Sequence, residues 1–415
     1  MFILYWRWTI LLNAKIKTGI QISMADAWKK EELHVLRKKT TFLCPACQKE
    51  VLLKLGEKRV WHFAHKANHV CKLDLEPETE YHLKGKKQLF QWLKSQRLDV
   101  ALEVYLPIIR QRPDLLVRTS QQLYAIEFQC SPISIEQIRK RNEGYQQIGV
   151  IPIWIMGGNR LKRKKSSSFT VQAFTWEMMQ QDGVEKNLKL LYYCPQANKW
   201  AFLNEILPYS KTLCQAKLVE HSLSDCTFYT LLKETNLQTS SYQKWCSIRK
   251  QWRMNPPAPY PTKTLKKFQM LLYRHHLPHS YFPVAAGWPT KYFYQIEASP
   301  LIWQTSFILE CLEYQPFMKP LDFRMLFQWF LTFLHSSHIS MRFDNLKLTE
   351  DAFYHYLLWL CELDLLSQIE SSDKIFLRLH KSLSFATLQE ALLLDDELTE
   401  NFMNYERIKP KKILF

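Results

Sequence analysis

The sequence predicts an α/β protein with a core of order αβββαβ, a small Cys/His-bearing β module before it and a mostly α-helical region after it. Three observations carry that reading. Between Glu78 and Met156, a helical stretch, three strand-like runs, a second helical stretch and a continuous apolar run follow one another. Inside that order, Arg112 to Gln129 (RPDLLVRTSQQLYAIEFQ) places two apolar runs around a polar turn at Thr119–Gln122, the pattern of a hairpin. Ahead of it, Cys44-Pro-Ala-Cys47 and His62-Phe-Ala-His65 bracket two short strand-like runs.

Residues 1–30 open on MFILYWRWTILL, an apolar stretch broken by Arg7 and too short to span a bilayer. It lacks the basic leader and small-residue cleavage site of a signal peptide, so no membrane insertion is expected. Met1–Arg7 reads either as part of the native chain or as a non-native upstream extension, and the sequence does not choose between them. Trp8–Asn13 and Ile20–Ser23 read as a hairpin around Lys17-Thr18-Gly19. Residues 31–75 read as a zinc-ribbon-like module. Cys44 and Cys47 form a knuckle for one tetrahedral zinc, and His62 and His65 are offered as the other two ligands. His69 and Cys71 stand in reserve, and spacing does not choose among them; the alternative is a zinc-free ribbon whose histidines lie on the surface.

Residues 76–180 hold the core. Glu78–Ser95 is a helix with Leu83, Leu89, Phe90 and Leu93 on its apolar stripe and Glu80, His82, Lys84, Lys86 and Lys87 on its polar side. Asp99–Leu106 is a strand ended by Pro107, and the 112–129 hairpin follows. Ser134 with Gln137 three residues later makes a capping box for a helix over Ile135–Ile148. Val150–Met156 is continuously apolar, as a central buried strand is.

Two acids interrupt the hairpin. Asp114 heads the first strand and Glu127 lies between Ile126 and Phe128. A carboxylate in an apolar strand is costly unless paired or bound to metal. Two on adjacent strands can converge on Mg²⁺ or Mn²⁺; the alternative is one edge acid and one acid paired with Lys or Arg. Gln137, Arg141 and Tyr145 recur every four residues on the next helix and suit a phosphodiester backbone, the alternative being a solvated helix face. Arg160, Lys162 and Arg163 open a basic run that can grip phosphates or serve as a solvated linker. The net charge of +17 and pI near 9.3 favour a polyanionic partner, with nucleic acid first. The scattered cysteines read as reduced thiols of a cytoplasmic protein.

Residues 181–260 read as an accessory and linker region with an aromatic hairpin at Tyr192–Pro195 and Lys199–Phe202. In residues 261–415 helices dominate. A helix over Thr349–Leu366, capped by Thr349, precedes a hairpin of Ser367–Glu370 and Lys374–Leu379, an order like the tail of a winged helix. Glu350, Asp351, Glu362 and Asp364 make that helix acidic and it is rich in aromatics, which points to packing or protein contact rather than DNA reading. His275, His276 and His279 read as surface residues.

The chain resembles the competence protein CoiA family of naturally transformable bacteria. CPAC…HFAH, ETEYHLKGKKQL, RPDLLV and AIEFQCSPIS carry the resemblance, in that order over residues 10–160. It implies a restriction-endonuclease-like core of the PD-(D/E)xK type behind a zinc-ribbon-like module, acting in the cytoplasm on single- or double-stranded DNA taken up for recombination, with recombination proteins as partners of the C-terminal region. In the family pattern Asp114 matches the acid of PD and Glu127 that of (D/E)xK, while Glu80 and His82 match the first helix's contribution. Gln129 departs from the pattern by standing where many relatives have Lys. Gln can orient a water but carries no charge, so Lys86, Lys84 or Arg141 would have to supply the missing cation. Without one, the implied role shrinks from Mg-dependent DNA nuclease to a DNA-binding accessory factor.

Overall fold

The computed structural model describes residues 10–57, 59–66, 71, 79–182, 187–233, 239–255, 261–369, 372–380 and 385–408. The proposed extension Met1–Arg7 and the start of the first hairpin lie outside them. The chain folds into two compact units. One comprises residues 1–163, 172–204 and 217–235; the other comprises residues 164–171, 205–216 and 236–415.

The first unit opens on strands β1 (Ile10–Leu11), β2 (Asn13–Ile16) and β3 (Gln21–Ser23), then helix α1 (Lys30–Lys39), then β4 (Phe42–Leu43), β5 (Glu50–Lys54) and β6 (His62–His65). They form a sheet in the order β1-β6-β5-β4-β2-β3. The β2–β3 turn carries Gly19 at φ +89°, a left-handed conformation that glycine adopts without a Cβ clash. Helix α1 has Glu31 and Glu32 in its first turn and Arg37, Lys38 and Lys39 in its last, matching the helix dipole at both ends.

Next come α2 (Glu80–Ser95), β7 (Asp99–Leu102), β8 (Leu115–Arg118), β9 (Leu123–Gln129), α3 (Ile135–Gln147) and β10 (Val150–Gly157). The order is therefore helix, three strands, helix, strand. β7, β8 and β9 pair antiparallel, while β10 runs parallel to β9 because the chain crosses over through α3. Ile153–Met156 of β10 are buried, as their unbroken apolar run requires. Beyond β10 the sheet continues with Asn187–Cys194, parallel to it, and Lys199–Pro208, antiparallel. The aromatic hairpin thus extends the core sheet.

Strand β7 stops four residues before its expected end at Leu106. Glu103 leaves the strand with φ +50°, and its buried carboxylate turns toward α2. Helix α2 lies close over β9 at Gly85, where an added Cβ would stand 2.1 Å from the Phe128 ring.

In the second unit, helix Pro300–Glu310, strand Pro320–Asp322, helices Phe323–Ser336 and Leu346–Glu362, and strands Leu366–Ile369 and Ser372–Arg378 follow in order. Ser372–Arg378 lies central in the three-stranded sheet. The expected 349–366 helix begins earlier. Asn345 caps it, its side chain accepting from the Leu348 N–H, and Thr349 is buried inside. Around this lies an aromatic core in which Arg249 and Arg253, both buried, hold the Asp395 carboxylate. Among the described residues, no helix is long and apolar enough to cross a membrane.

Gly85→Ala should lower the melting temperature. Overpacking costs about 1–3 kcal/mol, and the Cβ would meet a buried ring, so the ~1 kcal/mol that alanine gains in a helix is outweighed. Thermal unfolding that is unchanged or raised would contradict this packing.

Candidate active site and metal centre

The β8–β9 register pairs Leu115 with Ile126, so one step on Asp114 comes opposite Glu127. The two carboxylates are held by different partners. Asp114 Oδ2 accepts the Phe128 N–H at 2.9 Å and faces His82 Nε2 at 3.3 Å. Its Oδ1 lies 3.5 Å from Lys86 Nζ. His82 and Lys86 are one helical turn apart on α2 and therefore share a face. The close approach at Gly85 brings that face to the strand ends.

Lys86 is fully buried, and its ammonium lies 2.5 Å from Glu103 Oε1. Glu103 Oε2 accepts the backbone N–H groups of Leu12 (3.0 Å) and Asn13 (3.2 Å), and its own N–H donates to the Asp114 carbonyl at 3.0 Å. A buried cation is thereby set between the buried carboxylate of Glu103 and the partly buried one of Asp114. Glu103 escaped the sequence reading; its only signal was an acid inside the apolar run DVALEV.

Glu127 is also buried. Arg141 reaches its Oε2 at 2.6 Å, and the Tyr145 hydroxyl donates to its Oε1. Burial opposes ionisation of both acids. At Asp114 the neighbouring Lys86 and His82, with the Phe128 N–H, hold the carboxyl well below the usual range. At Glu127 burial prevails over Arg141, Asp114 adds repulsion, and the carboxyl is pushed up to about 7. Two adjacent acids are therefore set apart in protonation by their surroundings.

Gln129 is buried two residues beyond Glu127, and its amide donates to the Ser131 carbonyl at 2.8 Å. Lys84 and Glu80 are exposed on α2, outside these contacts. The row expected to touch phosphate divides into three roles. Gln137 closes the capping box with Ser134, Arg141 is the counterion of Glu127, and Tyr145 has no exposure. Tyr145 is thus corrected from phosphate donor to a group that holds Glu127, since a sealed phenol cannot reach a ligand. Gln137 is exposed and also caps the helix, its amide oxygen accepting the Ser134 N–H at 3.2 Å. Arg160 donates to Gln172 at 3.1 Å, and Lys162 and Arg163 are exposed.

The second centre lies in the β1–β6 module. Cys44, Cys47, His65 and Cys71 bring their ligand atoms within 4.8 Å of one another, the one such group of metal-binding side chains among the described residues. Three thiols and an imidazole are a donor set that can hold a metal such as zinc. The Cys71 thiol, against burial, and then His65 and the Cys47 and Ala46 N–H groups push the Cys44 thiol down to about 3. Burial pushes Cys47 up. His62, an expected ligand, is corrected. On strand β6 side chains alternate, so His62 and His65 face opposite ways. His62 Nδ1 bonds the Val60 carbonyl at 2.8 Å instead, and Cys71 takes the fourth place. His69 lies outside the described residues.

Family models described as the N-terminal, nuclease-like and C-terminal domains of competence protein CoiA match residues 25–74, 78–236 and 240–393. The chain is similar to "Competence protein CoiA" of Bacillus subtilis (strain 168), with 31% identity over 331 residues, covering 78% of this chain and 87% of that protein. No solved structure matches it significantly.

The metal centre is checked by the zinc content of purified protein. Cys71→Ser should lower it, and His62→Ala should leave it intact; the reverse pattern contradicts the ligand set. The acid pair is checked by melting temperature against pH. Glu127 rises from 4.5 to about 7 on folding, so its contribution to stability is full below 4.5 and is lost as pH climbs through about 7. Glu127→Gln, which imitates the protonated acid, should therefore gain on the wild type as pH rises from about 5 to 7.5. Parallel curves over that window would remove Glu127 as the titrating group.

Proposed function

The chain belongs to the competence protein CoiA family, and on that premise we propose that it is a Mg²⁺- or Mn²⁺-dependent DNA phosphodiesterase of PD-(D/E)xK type, processing DNA for recombination during transformation in the cytoplasm. The observation that carries the proposal is the buried ammonium of Lys86 beside Asp114, in a chain whose Gln129 lacks the charge of the family's lysine. The carboxylate oxygens of Asp114 and Glu127 are the hard donors that Mg²⁺ takes. The two lie opposite each other one step beyond the Leu115–Ile126 pair, and water and phosphate oxygens would complete the octahedral set that Mg²⁺ prefers. When bound, the ion would activate a water and neutralise charge developing on the phosphate.

The protein's own groups do the rest. Asp114 is fixed as an anion by the Phe128 N–H, His82 and Lys86. Lys86 brings a positive charge to the site without a lysine at position 129, and Glu103 positions it. Tyr145 and Arg141 orient Glu127; Arg141, partly exposed, can exchange that carboxylate for a phosphate. Arg160, Lys162, Arg163 and exposed Lys84 are suited to the DNA backbone, and recombination proteins are the proposed partners of the C-terminal unit.

A second reading, a DNA-binding accessory factor without cleavage, draws support from Arg141, whose ion pair already satisfies Glu127. Purified protein with Mn²⁺ and labelled single- and double-stranded DNA separates the two. Cleavage should vanish in Asp114→Asn and Glu127→Gln, and Lys86→Met should slow it by about 10²-fold or more, the usual loss of a charge-stabilising group. Equal residual cleavage in wild type and the Asp114/Glu127 double variant overturns the nuclease reading. Inert proteins that bind DNA equally establish the accessory one.

A further inference from the structure

Residues 235–296 contain no Asp or Glu, against nine Lys or Arg. Within this stretch, Arg249 and Arg253 are consumed in the core by Asp395. The helix Lys263–Arg274 is different. It buries Phe268, Leu271 and Leu272, so its opposite face is fixed toward solvent. That face presents Lys263, Lys266, Lys267 and Arg274, all exposed, around Met270 (65% exposed) and Tyr273 (82% exposed). Their spacing of three and four residues makes one continuous stripe. Lys267 reaches the Ser336 carbonyl at 3.4 Å, and Arg274 pairs with Glu310 at 2.9 Å across an exposed contact worth little. Among the described residues, Lys263 and Lys266 make no ion pair.

The helix that a winged-helix order would send into DNA is unsuited to it. On Leu346–Glu362, Lys347 is held by Asp351 (3.0 Å) and Glu350 (3.5 Å), and Glu350 also takes Lys374 at 2.8 Å. Positive charge on this unit is concentrated elsewhere, together with an unburied aromatic ring. Cations that track a backbone beside a ring that can stack on a base are the two components of single-strand recognition.

We infer that the Lys263–Arg274 helix, on the second unit, is a binding surface for single-stranded nucleic acid. This deepens the reading above, and rests on it only in taking nucleic acid as the ligand.

The test is binding of the full chain to a labelled single-stranded oligonucleotide in EDTA, so that cleavage does not enter, over a series of salt concentrations. The triple variant Lys263→Glu, Lys266→Glu, Lys267→Glu should bind more than tenfold more weakly. Its plot of log affinity against log salt should flatten by about 2, from three contacts at about 0.7 each. Tyr273→Ala should weaken binding roughly 5- to 150-fold, the range for one lost base stack, without changing the salt slope. Lys347→Glu should change neither. All variants must melt with the wild type. An unchanged slope in the triple variant overturns the inference, as does an equal loss in Lys347→Glu. Binding of polyglutamate as tight as DNA and indifferent to Tyr273→Ala would assign the surface to an acidic protein instead. Asp114→Asn that cannot cleave but binds as wild type leaves this surface standing while the nuclease reading is judged separately.

Discussion

One buried cation organises the first unit. Lys86, without solvent exposure, lies between Glu103 and Asp114. Burying a single charge is prohibitive unless it is matched, and here the match draws four parts of the chain together. Lys86 comes from α2, Glu103 from the end of β7, Asp114 from the head of β8, and Glu103 also receives two N–H groups from the β1–β2 segment. Removing one member of such a set typically costs about 3–5 kcal/mol because its partner is left charged and buried. The early end of β7 and the left-handed φ of Glu103 follow from the same demand.

Around that cation the two acids of the hairpin acquire opposite characters. Asp114 receives a lysine, a histidine and a backbone donor and is held as an anion. Glu127 receives one arginine and a phenol in a sealed site and titrates near neutrality. An arrangement with one fixed anion and one adjustable one suits a cation whose other ligands arrive with substrate. Gln129 donates to the Ser131 carbonyl, and in the proposed function the positive charge comes from α2 instead.

Much of this was legible in the sequence because it depends on periodicity. The order of helices and strands from α2 to β10, the capping box at Ser134 and the buried β10 all follow from local pattern. Two further features follow from local rules: alternation along HFAH separates His62 from His65, and Asn345 is as good a cap as Thr349. What could not be read depends on tertiary placement. Lys84 and Lys86 look alike in sequence, and only the approach at Gly85 selects Lys86. Glu103 looks like an ordinary strand-end acid until β1 and β2 come near it. The Gln137, Arg141 and Tyr145 spacing is that of one helix face, yet Tyr145 is sealed by packing and Gln137 is claimed by its own cap.

The proposed function requires the Asp114–Glu127 pair to hold a divalent cation, with Arg141 as its stand-in. Anomalous diffraction from crystals soaked in Mn²⁺ tests this directly. The account predicts a manganese peak in contact with both carboxylates and Arg141 withdrawn from Glu127. Saturating Mn²⁺ with no peak there, and Arg141 still paired to Glu127, would contradict it.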